Sequence, residues 1–186
     1  MHTLQAHKKT REMKTSPLIT KEAMGNELIS RNFGKRDEKM KLQTVTYSES
    51  NELFAVFKQY MMPTIDGAIG WDEDFQFDGF VENLKRDWFR WLIVRNEKAG
   101  LVCFRTIESR IHIHLLIVFH PFQRQGLARQ FFRLIESKHK SKCLSLSSLK
   151  NNKIAIYMYT KYGFKVIAED EHFYSFIKFN TNREVP

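Results

Sequence analysis

Two histidines and one glycine-bearing turn hold most of the chemical promise of this 186-residue chain. His112 and His114 stand within Ile111-His112-Ile113-His114-Leu115-Leu116-Ile117-Val118, an apolar, β-branched run that predicts a strand. Positions i and i+2 of a strand share a face, so the two imidazoles can relay a proton along one side of a sheet. Imidazole titrates near neutrality and suits the removal of a proton at pH 7. The same pair also fits half-buried, hydrogen-bonded strand positions, and the residues alone leave both readings open. Just downstream, Gln123-Arg124-Gln125-Gly126-Leu127-Ala128 opens a helix. A helix start offers free N–H groups and the positive end of a dipole, which together hold an anion such as phosphate. Gly126 lets the backbone come close to that anion, small Ala128 keeps the helix start open, and Arg124 and Arg129 add charge. A glycine that merely punctuates a turn fits equally well.

The elements that must position these groups read as an α/β domain from about Leu42 onward. Leu42–Tyr47 alternates as a first strand. A helix follows over Asn51–Met61, with Leu53, Phe54 and Phe57 as its apolar face and Pro63 ending it. A second helical stretch runs from about Asp74 to Arg86. Trp88–Arg95 and Leu101–Glu108 pair as a hairpin joined across Asn96–Gly100, and Arg110–Val118 is a longer strand. A helix over Gly126–His139, a strand over Lys142–Ser148, a helix over Lys153–Tyr162 and the closing strands Lys165–Glu169 and Phe173–Phe179 complete the order β-α-α-β-β-β-α-β-α-β-β. That order predicts one domain over residues 40–180, a mixed central sheet with helices on both faces.

With the motifs and their order in place, the chain resembles the GNAT N-acetyltransferases. Gln123-x-x-Gly126-x-Ala128 after an apolar strand is similar to their [Gln/Arg]-x-x-Gly-x-[Gly/Ala] turn. Asn152-x-x-Ala155-x-x-x-Tyr159-x-x-x-Gly163-Phe164 is similar to their downstream Asn-x-x-Ala…Tyr-x-x-x-Gly-Phe signature, and the element order is the family's own. Together these span residues 42–179. Locally, His112-Ile113-His114 ahead of Phe122-Gln123-Arg124-Gln125-Gly126 resembles the arylalkylamine N-acetyltransferases, whose paired histidines are implicated in carrying away the amine proton. Two departures stand out. Pro121 sits one place later than the usual turn proline, and Ala128 replaces the commoner glycine.

The resemblance implies acetyl-CoA as acetyl donor, with no metal, and a direct transfer to a primary amine. Such an amine has a pKa of about 10, so only about one molecule in a thousand is neutral at pH 7, and His112 and His114 would take its proton. The backbone at Leu116, Ile117 and Val118, freed by a break in strand pairing, would hold the pantetheine arm and the developing oxyanion. Gln123, Arg124, Gln125, Gly126, Leu127, Ala128 and Arg129 would hold the pyrophosphate, with Asn152 as a further coenzyme contact. Tyr159 matches the family's phenolic acid for the leaving thiolate; Tyr157 and Tyr162 compete by type, but only Tyr159 stands four residues before Gly163. Plainer roles fit some of these residues too: a core aromatic for Tyr159, a helix cap for Asn152. His120 reads as a turn residue, and Cys103 and Cys143 as inert strand thiols.

On the acceptor side, Asp66–Asp78 holds five acids and no Lys or Arg, interleaved with Trp71, Phe75 and Phe77. Trp71, Glu73 and Phe75 are candidate acceptor contacts, since an aromatic, acidic lining attracts a small cationic amine, and Glu73 is an alternative base through water. An acidic helix start above core aromatics reads the same way. The rival functions are an aminoacyl-tRNA-acetylating toxin-like enzyme and a non-catalytic acyl-CoA sensor. The net charge of +9 favours the first only superficially. Residues 1–41 carry ten Lys/Arg against five Asp/Glu, so +5 of it falls in a segment with one aromatic, Phe33. Residues 1–39 read as a flexible basic tail, or a leader before a start at Met40, and 181–186 as a C-terminal tail. The acidic segment argues against nucleic acid at the acceptor mouth. Two cysteines point to a reducing cytoplasm, and no apolar run is long enough to cross a bilayer. A homodimer is compatible with the scaffold.

Overall fold

The computed structural model describes residues 39–140 and 142–180. Most of the expected basic leader, and residues 181–186, lie outside them. The element order matches the sequence expectation: β1 (Lys41–Thr44), α1 (Ser50–Ile69), α2 (Glu73–Asn83), β2 (Phe89–Val94), β3 (Glu97–Ile107), β4 (Arg110–Val118), α3 (Leu127–Lys138), β5 (Cys143–Leu149), α4 (Lys153–Tyr162), β6 (Lys165–Glu169) and β7 (Phe173–Lys178). They form one seven-stranded mixed sheet in the order β1-β2-β3-β4-β5-β7-β6. β4 and β5 are its parallel pair, and the other neighbours run antiparallel.

Each face of the sheet carries its own core. Leu127, Phe131, Phe132 and Ile135 of α3 recur at helical spacing and bury against Ile111, Ile113, Leu144 and Leu146, joined by Tyr159 of α4. On the opposite face Leu53 of α1 and Phe80 of α2 cover Phe89, Trp91, Leu101, Leu115 and Ile117.

Four element boundaries differ from the sequence expectation by three residues or more. β1 ends at Thr44 rather than Tyr47, since a short 3-10 turn takes Tyr47–Glu49. Pro63 does not end α1, which continues to Ile69. Proline removes one donor from the helix. The turn beyond it is held from outside, by buried Ile65 and by Asn151 Nδ2 donating to the Thr64 carbonyl at 2.8 Å. Next, α2 stops at Asn83 rather than Arg86, because a second 3-10 turn over Arg86–Trp88 delivers the chain to β2. Finally, the β2–β3 loop is much tighter than Asn96–Gly100. Arg95 and Asn96 both take positive φ, 53° and 61°, the mirror-image turn that matches strand twist.

That tight hairpin brings Gly100 against β4, where a Cβ would stand 2.2 Å from the Ile117 carbonyl oxygen. Gly100→Ala must therefore push β3 and β4 apart. It is expected to cost about 3 kcal/mol of stability, read as a lower urea midpoint at unchanged slope.

Candidate active site

The geometry of β4 decides the site. Along β3, Cys103 pairs with Leu115 but Phe104 pairs with Ile113, so His114 is an extra, bulged residue. A bulge re-aims the side chains around it. Before it, Ile111 and Ile113 point into the α3/α4 core; after it, Leu115 and Ile117 point into the α1/α2 core. His112 and His114 are left side by side, ring centroids 4.5 Å apart and planes at 79°. Pairing of β4 with β5 also ends here. It runs from Arg110↔Cys143 to Ile113↔Leu146, after which β5 continues against β7 alone. The expected break in pairing thus begins at His114, ahead of Leu116–Val118. Beyond it, the backbone of Leu116, Ile117 and Val118 has no β5 partner on that edge.

Each histidine is held differently. His112 Nδ1 lies 3.0 Å from the hydroxyl of buried Ser145 on β5. When the ring donates that bond, Nε2 carries the lone pair and is the proton acceptor. His114 stacks on Trp88 at 5.4 Å and 10°, and its Nε2 is buried without a hydrogen-bond partner. Burial, then the charges of Arg110 and Arg105, push the His112 pKa below the ordinary imidazole value. Burial, then His112 and Arg105, bring His114 down to about 4. Both rings are therefore neutral at pH 7, with a free lone pair for a proton but as weaker bases than free imidazole.

The turn after β4 has the shape of an anion cradle. A 3-10 turn over His120–Phe122 leads into it. Arg124 and Gly126 take left-handed φ of 60° and 77° on either side of Gln125. Such alternation turns successive N–H groups inward, as a nest for an anion. Gly126 is the N-cap of α3, with no side-chain cap, so the first-turn N–H groups at Leu127, Ala128 and Arg129 have no acceptor within the helix. A Cβ on Gly126 would meet nothing within 4 Å, which leaves the cradle open above the turn. Gln123 and Gln125 serve the turn itself, donating to the Val118 and Pro121 carbonyls at 3.0 and 2.9 Å. These features fit the pyrophosphate of a nucleotide-bearing coenzyme.

Tyr159 is buried among Phe132, Phe164 and Phe176, and burial raises its pKa to about 12. Its rivals are otherwise placed: Tyr157 is exposed, and Tyr162 donates to Glu136 at 2.7 Å. Asn152 caps α4, accepting from the Ala155 N–H at 3.2 Å. Cys103 is buried, which pushes its thiol up to about 12. Cys143 is only half-buried, at the first residue of β5.

The proposed acceptor contacts fall apart from the histidines. Trp71 and Phe75 line a shallow cavity of about 250 Å³ with Ile69, Gly70, Asp72 and Gln76. Glu73 is engaged by Lys58 at 2.7 Å and the Trp71 indole N–H at 2.8 Å, which lowers its pKa and its strength as a base. A chain of ring contacts, Trp71–Phe57–Phe80–Phe89, leads from this corner to the residue beside Trp88. Beside the histidines stand Trp88, one of the aromatics that follow the acidic segment, and two groups that the motifs do not single out, Arg105 and Ser145. The signal for Arg105 was present. The tight turn between Ile107 and Arg110 sets a register that puts Arg105 opposite His112.

Comparison with known proteins supports the fold and the family. A profile described as the acetyltransferase (GNAT) domain matches residues 76–181, more than half of the chain. Among solved structures, the PaiA N-acetyltransferase from Thermoplasma acidophilum, in complex with coenzyme A, is similar at TM-score 0.60 and 14% identity, over 75% of this chain and 98% of that one. An acetyltransferase from Thermus thermophilus gives TM-score 0.58 at 19% identity, over 75% and 96%. An N-acetyltransferase from Staphylococcus aureus gives 0.57 at 12%, over 74% and 100%. At such identities the likeness speaks for the fold. No curated protein matches the chain in sequence.

Proposed function

The chain belongs to the GNAT acetyltransferase family, and on that premise we propose that it moves an acetyl group from acetyl-CoA directly to a small primary amine, with His112 and His114 carrying off the amine proton. The observation that supports this most is the bulge at His114, which pairs two neutral imidazoles at the point where β4 parts from β5. The α3 turn from Gln123 to Arg129 would hold the pyrophosphate of the donor. The backbone of Leu116, Ile117 and Val118 would hold its arm and offer N–H groups to the oxyanion. His112, fixed by Ser145, takes the proton from the amine and passes it toward His114 or solvent. The acceptor's nitrogen arrives as a cation, and its apolar part packs against an aromatic wall of the kind Trp88 supplies.

Tyr159 completes the cycle by hydrogen-bonding to the leaving thiolate. A phenol at about 12 is a weak acid, so this contribution is smaller than that of the histidines. Tyr159→Phe keeps the ring in its aromatic cluster and removes only the hydroxyl. It is expected to lower kcat about 10- to 100-fold with little change in melting temperature, followed by turnover and calorimetry side by side. An unchanged kcat would reduce Tyr159 to packing.

The function itself is tested by thiol release from acetyl-CoA against a panel of primary amines. Amine-dependent release, with acetyl-CoA at about 100 times its Kd stabilising the fold by roughly 2.7 kcal/mol, supports the proposal. A thermal shift with no release from any amine would point to a sensor instead, and neither response would remove the assignment altogether.

A further inference from the structure

Arg105 lies beside the histidines with its charge unanswered. It stands on β3 directly opposite His112. Its guanidinium carbon lies 4.5 Å from the centre of the Trp88 ring, the same ring on which His114 stacks. Its Nε is buried and has no hydrogen-bond partner. Among the described residues the ion pairs lie elsewhere, and none supplies a carboxylate to Arg105. The residue is half-buried, and a buried N–H left unpaired on it is costly, which cation–π contact with an indole offsets only in part. The group that suits a guanidinium whose plane is steadied by a ring is a planar carboxylate, bound through two parallel N–H···O bonds.

We propose that Arg105 binds a carboxylate of the acceptor, so that the acceptor is an amino acid whose amine and carboxylate lie a few bonds apart. The inference rests on the acetyl-transfer reading above and names the acceptor class for that site. Facing residues of an antiparallel ladder have Cα atoms about 4.5 to 5.5 Å apart, so guanidinium and imidazole can engage two ends of a short molecule. The charges agree. With both histidines neutral, Arg105 makes the site locally positive, which repels an acceptor bearing only an ammonium group. A zwitterion brings an anion to Arg105 and its nitrogen to His112. Of the acids beside the aromatic lining, Glu73 is already paired with Lys58, Asp87 with Arg86, and Asp72 caps α2.

The test measures kcat/KM for a panel of α- and β-amino acids, each beside its carboxamide and its decarboxylated amine, with phosphoethanolamine as a phosphate-bearing arm. The best amino acid is expected to exceed its carboxamide and amine by roughly 10- to 100-fold, a ratio that collapses in Arg105→Met and recovers partly in Arg105→Lys. A purely structural arginine would lower all acceptors together and leave the ratio unchanged, which would overturn the proposal. So would preference for the decarboxylated amine, or for phosphoethanolamine over β-alanine. A second measurement is independent of turnover: the Arg105 Nε–H resonance is followed by NMR during titration with the same amino acids and carboxamides. A shift with the acids alone supports the assignment, and none with either overturns it. Acetylation of simple amines without any effect of Arg105 would sink this inference and leave the enzyme assignment standing. Absence of acetylation with every acceptor would sink the enzyme assignment.

Discussion

Replacing His112 and His114 by alanine, one at a time, is expected to lower kcat for amine acetylation by about 10²- to 10⁴-fold at the more important position, with the acetyl-CoA Kd unchanged. The two rings lie side by side, and Ser145 anchors only one of them, so the effects should be unequal. His112 is expected to matter more, since its Nδ1 bond leaves Nε2 to meet the amine. The pH dependence carries a sign that can be checked. Burial and the neighbouring arginines lower both pKa values, so each ring is the neutral base above its lowered value and is lost as a base only when pH falls through it. The acid limb of kcat should therefore lie below the free-imidazole value of about 6.5. A limb centred at 7 or above would assign the proton to another group. Arg105→Met removes one of the charges that holds both values down, so the limb should move to higher pH.

Gly126→Val is expected to weaken acetyl-CoA binding by roughly 10- to 100-fold, the equivalent of one or two charge-assisted hydrogen bonds. The cause is backbone geometry, since space for the side chain exists: a Cβ there meets nothing within 4 Å. At φ 77° a β-branched residue is strained, and the turn can relieve that strain only by rotating the N–H groups it presents. Gly126→Asn provides the contrast, because asparagine tolerates left-handed backbone and should keep most of the affinity. Calorimetric titration of each variant with acetyl-CoA, beside circular dichroism to confirm folding, separates the two. Equal affinity in valine and wild type would mean that the coenzyme phosphates are held elsewhere.

Much of the frame was legible because it depends on local pattern. Arg110–Val118 and Lys153–Tyr162 match the structure at both ends, one by its recurring Ile, Leu and Val, the other by Asn152 and Gly163 at its caps. What failed depends on contacts between distant segments. Pro63 reads as a stop, yet Asn151 and the core around Ile65 carry α1 past it. The bulge at His114 has no local signature; it arises from register with β3 and from the parting of β4 and β5. Ser145 joins the histidines only through the β4–β5 pairing, which no local pattern sets, whereas the short β3–β4 turn already points to Arg105. In the acidic stretch Asp66–Asp78, part of the charge is spent on Lys58 and on capping α2, where Asp72 accepts from the Phe75 N–H at 2.9 Å, as the helix-start reading expects.

The most direct test of the mechanism follows the acetylated amine itself, by mass spectrometry, in wild type and in the His112→Ala/His114→Ala double variant. Both are held at acetyl-CoA concentrations that saturate their measured Kd. Wild type should form the acetylated amine, and the double variant should bind the donor equally well yet form product at least about 10²-fold more slowly. Equal rates in the two proteins would contradict the assignment of His112 and His114 as the proton-accepting pair.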